Sequence, residues 1–583
     1  MKLKIPIKEY IQLLSKYLKP YRGKVFLLIL LLAGSVGLQL INPQIVRYFI
    51  DAAQGGATGK YLIMAALAFI GISVLQQLFA IASTFLSQDV GWSSTNALRE
   101  DLLAHCLRLD MTFHKSKQPG ELLERLDGDV SSLFNFFSKL MFNLINNLAL
   151  LFGTVIILFF EDWRVGLGLA VFAFCAVLAL YFIQPIAVKY WRGDREESAK
   201  FYGFIGEQIS SAEDIRSSGA FHSTMYKFYT TLRKWYPIKR KANIMGYSMW
   251  ISVVITFALG NMVAFGLGGY LWLKGVITIG TVYLIFYYTE LLNKPMDEIR
   301  FQLQDLQVAG ASIARVKELF AMDSKLQEGS EDLKIEGPAA VELKNISFEY
   351  EADVPVLQDI NLTLEPGRVL GLLGRTGSGK TTLARLIVRL YDPTEGVVMV
   401  GGKPLKNLKT QAVRTHVAYV TQEVQLFQAT VRQNLSLFDE EIGDEAITAA
   451  IREVGLGYWL DALPEGLDTT LDSSGGGLSA GEAQLLAFVR VFLKDPALVI
   501  LDEASSRLDP MTEQLVERAI DKLLENRSCI IIAHRMATIK RADDILILED
   551  GKILEQGERE ALQEDKDSRF SHLLAAGIEE VLV

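Results

Sequence analysis

The chain has 583 residues, half of them hydrophobic, and a formal net charge of −9. That length exceeds what a single core fills, so at least two domains are expected. The acidic balance argues against nucleic acid as the main partner, and the apolar share argues against a purely soluble protein. Cys106, Cys175 and Cys529 lie far apart, with neither metal-ligand spacing nor a disulfide framework.

Residues 1–24 come first. Ile7, Tyr10, Ile11, Leu14, Tyr17, Leu18 and Tyr21 recur at helical spacing, and Lys8, Lys16, Lys19 and Arg22 take other positions. The pattern predicts an amphipathic elbow helix lying in a membrane interface, with a plain basic tail as the alternative. A charged segment of this kind ahead of the first apolar run is not a cleavable signal.

Six apolar stretches follow, at 25–46, 61–88, 140–160, 165–188, 242–273 and 275–289. The first five contain no Asp, Glu, Lys or Arg and reach the roughly 20 residues a spanning helix needs. The sixth is shorter and counts as a span through parity and its continuation into Leu291 and Leu292. Lys and Arg concentrate in the N-terminal segment and in the long connections 89–139 and 189–241, which places those parts, and both termini, in the cytoplasm. The long connections read as the same helices continuing into the cytoplasm, turning back near Gln118-Pro119-Gly120 and Ser217-Ser218-Gly219. Polar residues within the spans (Gln39, Asn42, Gln76, Gln77, Asn143, Asn146, Asn147 and Asn261) either bond between helices or line a cavity.

The composition turns charged over 321–338, the expected linker. From 339 to 583 short β-rich runs alternate with amphipathic helices, which predicts an α/β domain with a mainly parallel sheet. Its first strong motif is Gly374-Arg375-Thr376-Gly377-Ser378-Gly379-Lys380-Thr381, followed by Thr382. This is a phosphate loop between a predicted strand and a predicted helix. Its N–H groups and the helix dipole face an anion. Lys380 is expected to reach the outer phosphates and Thr381 to ligate Mg²⁺. Downstream, Leu498-Val499-Ile500-Leu501-Asp502 is an apolar strand ending in a metal-holding carboxylate. Glu503 is placed as general base toward water, Gln422 toward the metal and its water, and His534 toward the γ-phosphate.

Together these motifs give the second half a resemblance to the nucleotide-binding domain of ATP-binding-cassette proteins. The whole chain resembles an exporter-type half-transporter: an α-helical six-span transmembrane domain followed by an α/β P-loop ATPase. The resemblance implies that Tyr350 stacks on adenine and that Gln422 lies in the loop facing the transmembrane hairpins. It implies that Leu478-Ser479-Ala480-Gly481-Glu482 is the signature capping ATP on the opposite domain, that Ser506-Arg507-Leu508-Asp509 crosses between domains, and that His534 is the switch histidine. It also implies two cassettes per transporter, with the hairpin tips, near 118–122 and 212–219, acting as coupling helices.

The signature departs from the family's Leu-Ser-Gly-Gly-Gln. Ala480 adds a Cβ where backbone approaches phosphate, and Glu482 adds a negative charge. An eroded signature beside intact Lys380, Thr381, Asp502, Glu503 and His534 resembles the catalytically complete chain of a heterodimeric exporter. The expected partner is a different half-transporter with a degenerate Walker B region and an intact signature; a homodimer tolerating the variant signature is the alternative. ATP and Mg²⁺ are the expected cofactors. The expected activity is export of an amphipathic drug, lipid or peptide across a bacterial inner membrane, with an exporter-fold importer or an ATP-gated channel left open.

Overall fold

A computed structural model of the chain describes residues 15–576 apart from 137, 139–140, 473–477, 503–509 and 534–535. Most of the expected elbow helix, and the site candidates Glu503, Asp509 and His534, lie outside the described residues. The chain divides into two compact units. One is Met1–Leu107 with Pro119–Met322, and the other is Arg108–Gln118 with Asp323–Val583.

The first unit is helical. Its principal helices are Arg22–Gln54, Gly59–Arg108, Met141–Glu161, Trp163–Ser210, Phe221–Leu273 and Ile279–Leu291. Each expected apolar stretch falls largely within one of them. Among the described residues four helices are long and apolar enough to cross a membrane. In the most apolar window of Gly59–Arg108 only 6% of the residues are buried, so its side chains face outward, as lipid or another chain requires. The helices of 50, 48 and 53 residues run to roughly 70–80 Å, more than twice the hydrocarbon thickness. Gly59–Arg108 and Phe221–Leu273, both apolar enough to cross a membrane, are therefore long enough to continue well beyond it. The last apolar helix has only 13 residues and hands over at Leu292 to Asn293–Phe320.

Three polar span residues bond between helices. Asn42 donates to Ser73 Oγ at 2.8 Å, Asn147 to Glu298 at 2.8 Å, and Asn261 to Glu290 at 2.5 Å. The second hairpin turns through the short helix Ala212–Ser217 and Gly219, whose φ is +64°.

Among the described residues the second unit has twelve strands. In chain order they are β1 Val341–Glu349, β2 Pro355–Leu364, β3 Val369–Gly374, β4 Glu395–Val400, β5 Lys403–Pro404, β6 Val417–Val420, β7 Ala429–Thr430, β8 Thr470–Leu471, β9 Leu498–Asp502, β10 Ser528–Ile532, β11 Asp544–Glu549 and β12 Lys552–Glu558. One sheet has the order β12-β11-β3-β10-β9-β6, and a second has β2-β1-β4-β5. In the larger sheet β11, β3, β10, β9 and β6 are mutually parallel, and only β12 is antiparallel.

The parallel strands are buried on both faces, which is why they read as continuous apolar runs. Val499 and Leu501 enter one core while Leu498 and Ile500 enter the other, following the two-residue period of a strand. Cys529 sits in β10, where burial pushes its thiol up to about 12, so it is no ready nucleophile.

Two boundaries differ from the sequence expectation. The segment 331–338, the latter half of the expected linker 321–338, packs into the second unit: Leu333 is buried in its core and Glu331 bridges Leu408. The first hairpin tip lies earlier than 118–122. It is the helix Met111–Ser116, and its N-cap Asp110 accepts from the N–H groups of Thr112 and Phe113. Asp110 also accepts from the N–H of Lys325 and the hydroxyl of Ser324, bonds within the second unit, to which residues 108–118 belong.

Candidate nucleotide site

The parallel strands place the sequence motifs side by side. The phosphate loop leaves the C-terminal end of β3, Asp502 closes β9, and Gln422 follows β6; β10, which leads toward His534, lies between β3 and β9. Neighbouring parallel strands release their following loops at one edge, the edge where α/β folds bind ligands.

Gly374, Gly377 and Gly379 all have positive φ, and at the first and last of them a Cβ would also lack space. Gly374 and Gly379 have φ of +148° and +104°. A Cβ on Gly374 would run into the carbonyl oxygen of Leu548, and one on Gly379 would sit 2.6 Å from Leu357 Cδ2. Arg375, Thr376 and Gly377 form the exposed crest of the loop, and Ser378, Gly379 and Lys380 are buried beneath it. Lys380 arches back so that Nζ donates to the carbonyl oxygens of Gly374 at 2.6 Å and Arg375 at 2.9 Å. The buried Ser378 hydroxyl has no hydrogen-bond partner among the described residues. An unpaired buried hydroxyl costs about 1–3 kcal/mol, and a phosphate oxygen is an acceptor that would relieve it. The loop therefore fits a nucleotide's phosphates.

The metal candidates Thr381, Gln422 and Asp502 supply hard oxygen donors, the set Mg²⁺ takes. Asp502 is only 6% exposed, and the Tyr419 hydroxyl donates to its Oδ2 at 2.8 Å. Tyr350 follows β1; its hydroxyl lies 3.2 Å from Thr382 Oγ1 and accepts from Arg385 at 3.4 Å. The tyrosine expected at adenine is thus bonded to the first turn of the phosphate-loop helix. A cavity of about 370 Å³ opens nearby. Asp110, Glu349, Glu351 and Asp392 line it against Lys325, so it repels a triphosphate rather than holding one.

Ser479, Ala480, Gly481 and Glu482 form a separate group at the start of the helix Ala480–Lys494. Ser479 and Glu482 make a reciprocal capping box: the Ser479 hydroxyl accepts from the Glu482 N–H at 3.2 Å, and the Glu482 carboxylate accepts from the Ser479 N–H at 2.8 Å. Glu482 thus fixes the helix start, a role read as pure repulsion from the sequence although the spacing Ser-x-x-Glu announces it. Sequence reading also missed Arg490 and Asn434. The Asn434 side chain accepts from the Phe427 N–H and donates to the Phe427 carbonyl. Arg490, on the signature helix, donates to the carbonyls of Asn434 and Gln425. These bonds tether the loop after Gln422 to that helix.

A helical membrane unit in one chain with a phosphate-loop ATPase defines the class of transport ATPases. Residues 25–296 match the ABC transporter transmembrane region and residues 357–506 the ABC transporter family itself. The chain is 30% identical to the Bacillus subtilis ABC transporter ATP-binding protein YknV over 94% of its own length and 91% of that protein's. It is 29% identical, over 97% and 99% of the two lengths, to a Staphylococcus aureus ATP-binding/permease protein provisionally assigned to multidrug export. A bacterial Atm1-family ABC exporter solved with ATP bound shares the fold at a TM-score of 0.79 and 24% identity, over 95% of this chain and 98% of that one. The chain belongs to the ABC transporter family and is an integral membrane transport ATPase.

Proposed function

We propose that this chain is one half of a heterodimeric exporter that moves an amphipathic drug, lipid or peptide out across the bacterial cell membrane by alternating access, with both termini cytoplasmic. The supporting observation is an asymmetry within one chain. The phosphate loop is fully formed, with Lys380 poised over it and Ser378 unpaired, while the signature serine is held in a capping box by a carboxylate. This chain supplies the hydrolytic half of one composite site, and a different partner supplies the intact signature.

In that site Lys380 releases its two carbonyls and neutralises the outer phosphate oxygens. Ser378 and the loop N–H groups hold the remaining oxygens. Tyr350 carries the base. Glu503 takes the proton of the attacking water, His534 steadies the γ-phosphate, and Asp509 lies at the crossing between the two cassettes. Thr381, Asp502 and Gln422 would hold Mg²⁺, which when bound offsets developing charge on the phosphates. Cassette closure carries the hairpin tips with it and turns the cavity outward; hydrolysis resets it.

Native mass and ATPase activity of the chain in lipid nanodiscs, alone and with a co-expressed neighbouring half-transporter, test this reading. We expect an inactive chain alone, activity with the neighbour, and loss of turnover with retained ATP binding in Glu503→Gln. A stable homodimer with substrate-stimulated turnover would overturn the heterodimer.

A further inference from the structure

The tip helix Met111–Ser116 places Lys115 Nζ 4.0 Å from the centroid of the Tyr350 ring. Phe348 and Tyr391, both buried, stand nearly perpendicular to that ring, with centroids 4.8 and 5.2 Å away. The phenol end is bonded at Thr382 and Arg385. With the ring hemmed by two perpendicular aromatics and pinned at its hydroxyl, Lys115 covers one of its two faces. A purine base stacks about 3.5 Å from an aromatic face and cannot share the space with an ammonium at 4.0 Å.

We propose that Lys115 is a positioning residue of the nucleotide site that competes with the base for Tyr350, so that base binding lifts the lysine of the hairpin tip off the ring. The proposal rests on the reading of Tyr350 as the base-stacking residue. The displaced ammonium has a destination, since the adjoining cavity carries Asp110, Glu349, Glu351 and Asp392. The tip therefore registers whether the base is present and not only whether phosphate fills the loop. A triphosphate without a base leaves Lys115 in place.

Equilibrium binding of radiolabelled ATP without Mg²⁺ to the full chain in nanodiscs tests this, with inorganic tripolyphosphate as the baseless competitor. Lys115 is exposed, so Lys115→Gln should fold. Cation–π contacts at exposed sites correspond to about a two- to fivefold gain in ATP affinity when this one is removed. Lys115→Arg, which keeps the cation, should bind ATP like the unaltered chain. Tripolyphosphate affinity should not move in either variant. Tyr350→Ala should weaken ATP binding, and Lys115→Gln should add nothing in that background. If Tyr350→Ala weakens binding while Lys115→Gln leaves it unchanged or weaker, the competition is wrong and the stacking reading stands. If Lys115→Gln shifts tripolyphosphate equally, the effect does not pass through the base and the proposal falls. If Tyr350→Ala binds ATP normally, the stacking reading fails and takes the proposal with it.

Discussion

Tyr419 donates its hydroxyl proton to Asp502 at 2.8 Å, from a strand lying directly beside the one that Asp502 ends. Burial, reinforced by the neighbouring carboxylate, pushes the Tyr419 hydroxyl well above its usual range. Tyr419 thus remains a donor at every working pH and fixes the orientation of the carboxylate proposed to hold Mg²⁺. Partners that orient metal ligands are worth about 10–100-fold in metal affinity. Tyr419→Phe should therefore raise the Mg²⁺ concentration for half-maximal ATPase by about tenfold or more, with ATP binding in EDTA unchanged. An unaltered Mg²⁺ requirement would remove Tyr419 from the metal site.

The capping box separates two effects of Glu482. Glu482→Gln keeps an acceptor for the Ser479 N–H and discards the charge. Thermal stability should hold, and ATP affinity at the composite site using this signature should rise several-fold as like-charge repulsion is lifted. Glu482→Ala discards the cap as well and should cost about 1 kcal/mol of stability. Equal ATP affinity in the Gln variant and the unaltered chain would mean that the carboxylate faces away from phosphate.

The architecture was legible because its signals are periodic or local. Uninterrupted apolar runs fix spans, and Gly374 through Thr381 can hardly fold otherwise between a buried strand and a helix. Tertiary bonds between residues of ordinary type were not legible. Tyr419, Arg490 and Asn434 each sit in segments whose pattern reports only strand or helix, and their roles depend on which element lies alongside. The hairpin tip was misplaced because Gln118-Pro119-Gly120 is the louder turn signal. Asp110, whose carboxylate reaches both the tip helix and Lys325, is the real anchor.

That anchor titrates. Burial pushes the Asp110 carboxyl up, but the N–H of Lys325, the Thr112 hydroxyl and the N–H groups of Phe113 and Thr112 outweigh it and hold it below the usual carboxylate range. A depressed carboxyl contributes stability that is complete above its unfolded value of about 4 and is lost as pH falls through the folded value. One Asp110 oxygen accepts from Thr112 and Phe113 and the other from Lys325. Asp110→Asn turns an amide donor toward one of those N–H groups. Hydrogen exchange at Thr112, Phe113 and Lys325 should rise about tenfold at neutral pH. The gap between variant and unaltered chain should close below about pH 4. A gap that persists there would mean packing, not ionisation, holds the tip.

In the helical unit Asp129 is 3% exposed. It accepts from Arg315 Nε at 2.8 Å and from the Ser312 hydroxyl at 2.9 Å, which joins the first hairpin to the helix Asn293–Phe320. Removing only the cation leaves a buried carboxylate with one neutral donor, so Arg315→Met should destabilise by about 3 kcal/mol, the lower end for broken buried pairs because Arg315 is itself partly solvated. Asp129→Asn should cost less, since the amide still accepts from Ser312 and no charge is stranded. Combining Arg315→Met with Asp129→Leu should recover most of the loss, because the desolvation cost of the pair disappears together with its attraction. Thermal unfolding of the unaltered chain, Arg315→Met, Asp129→Leu and the double variant in the same nanodiscs gives the cycle. Additive losses would mean the two residues stabilise the unit independently and that their bond carries little of the join.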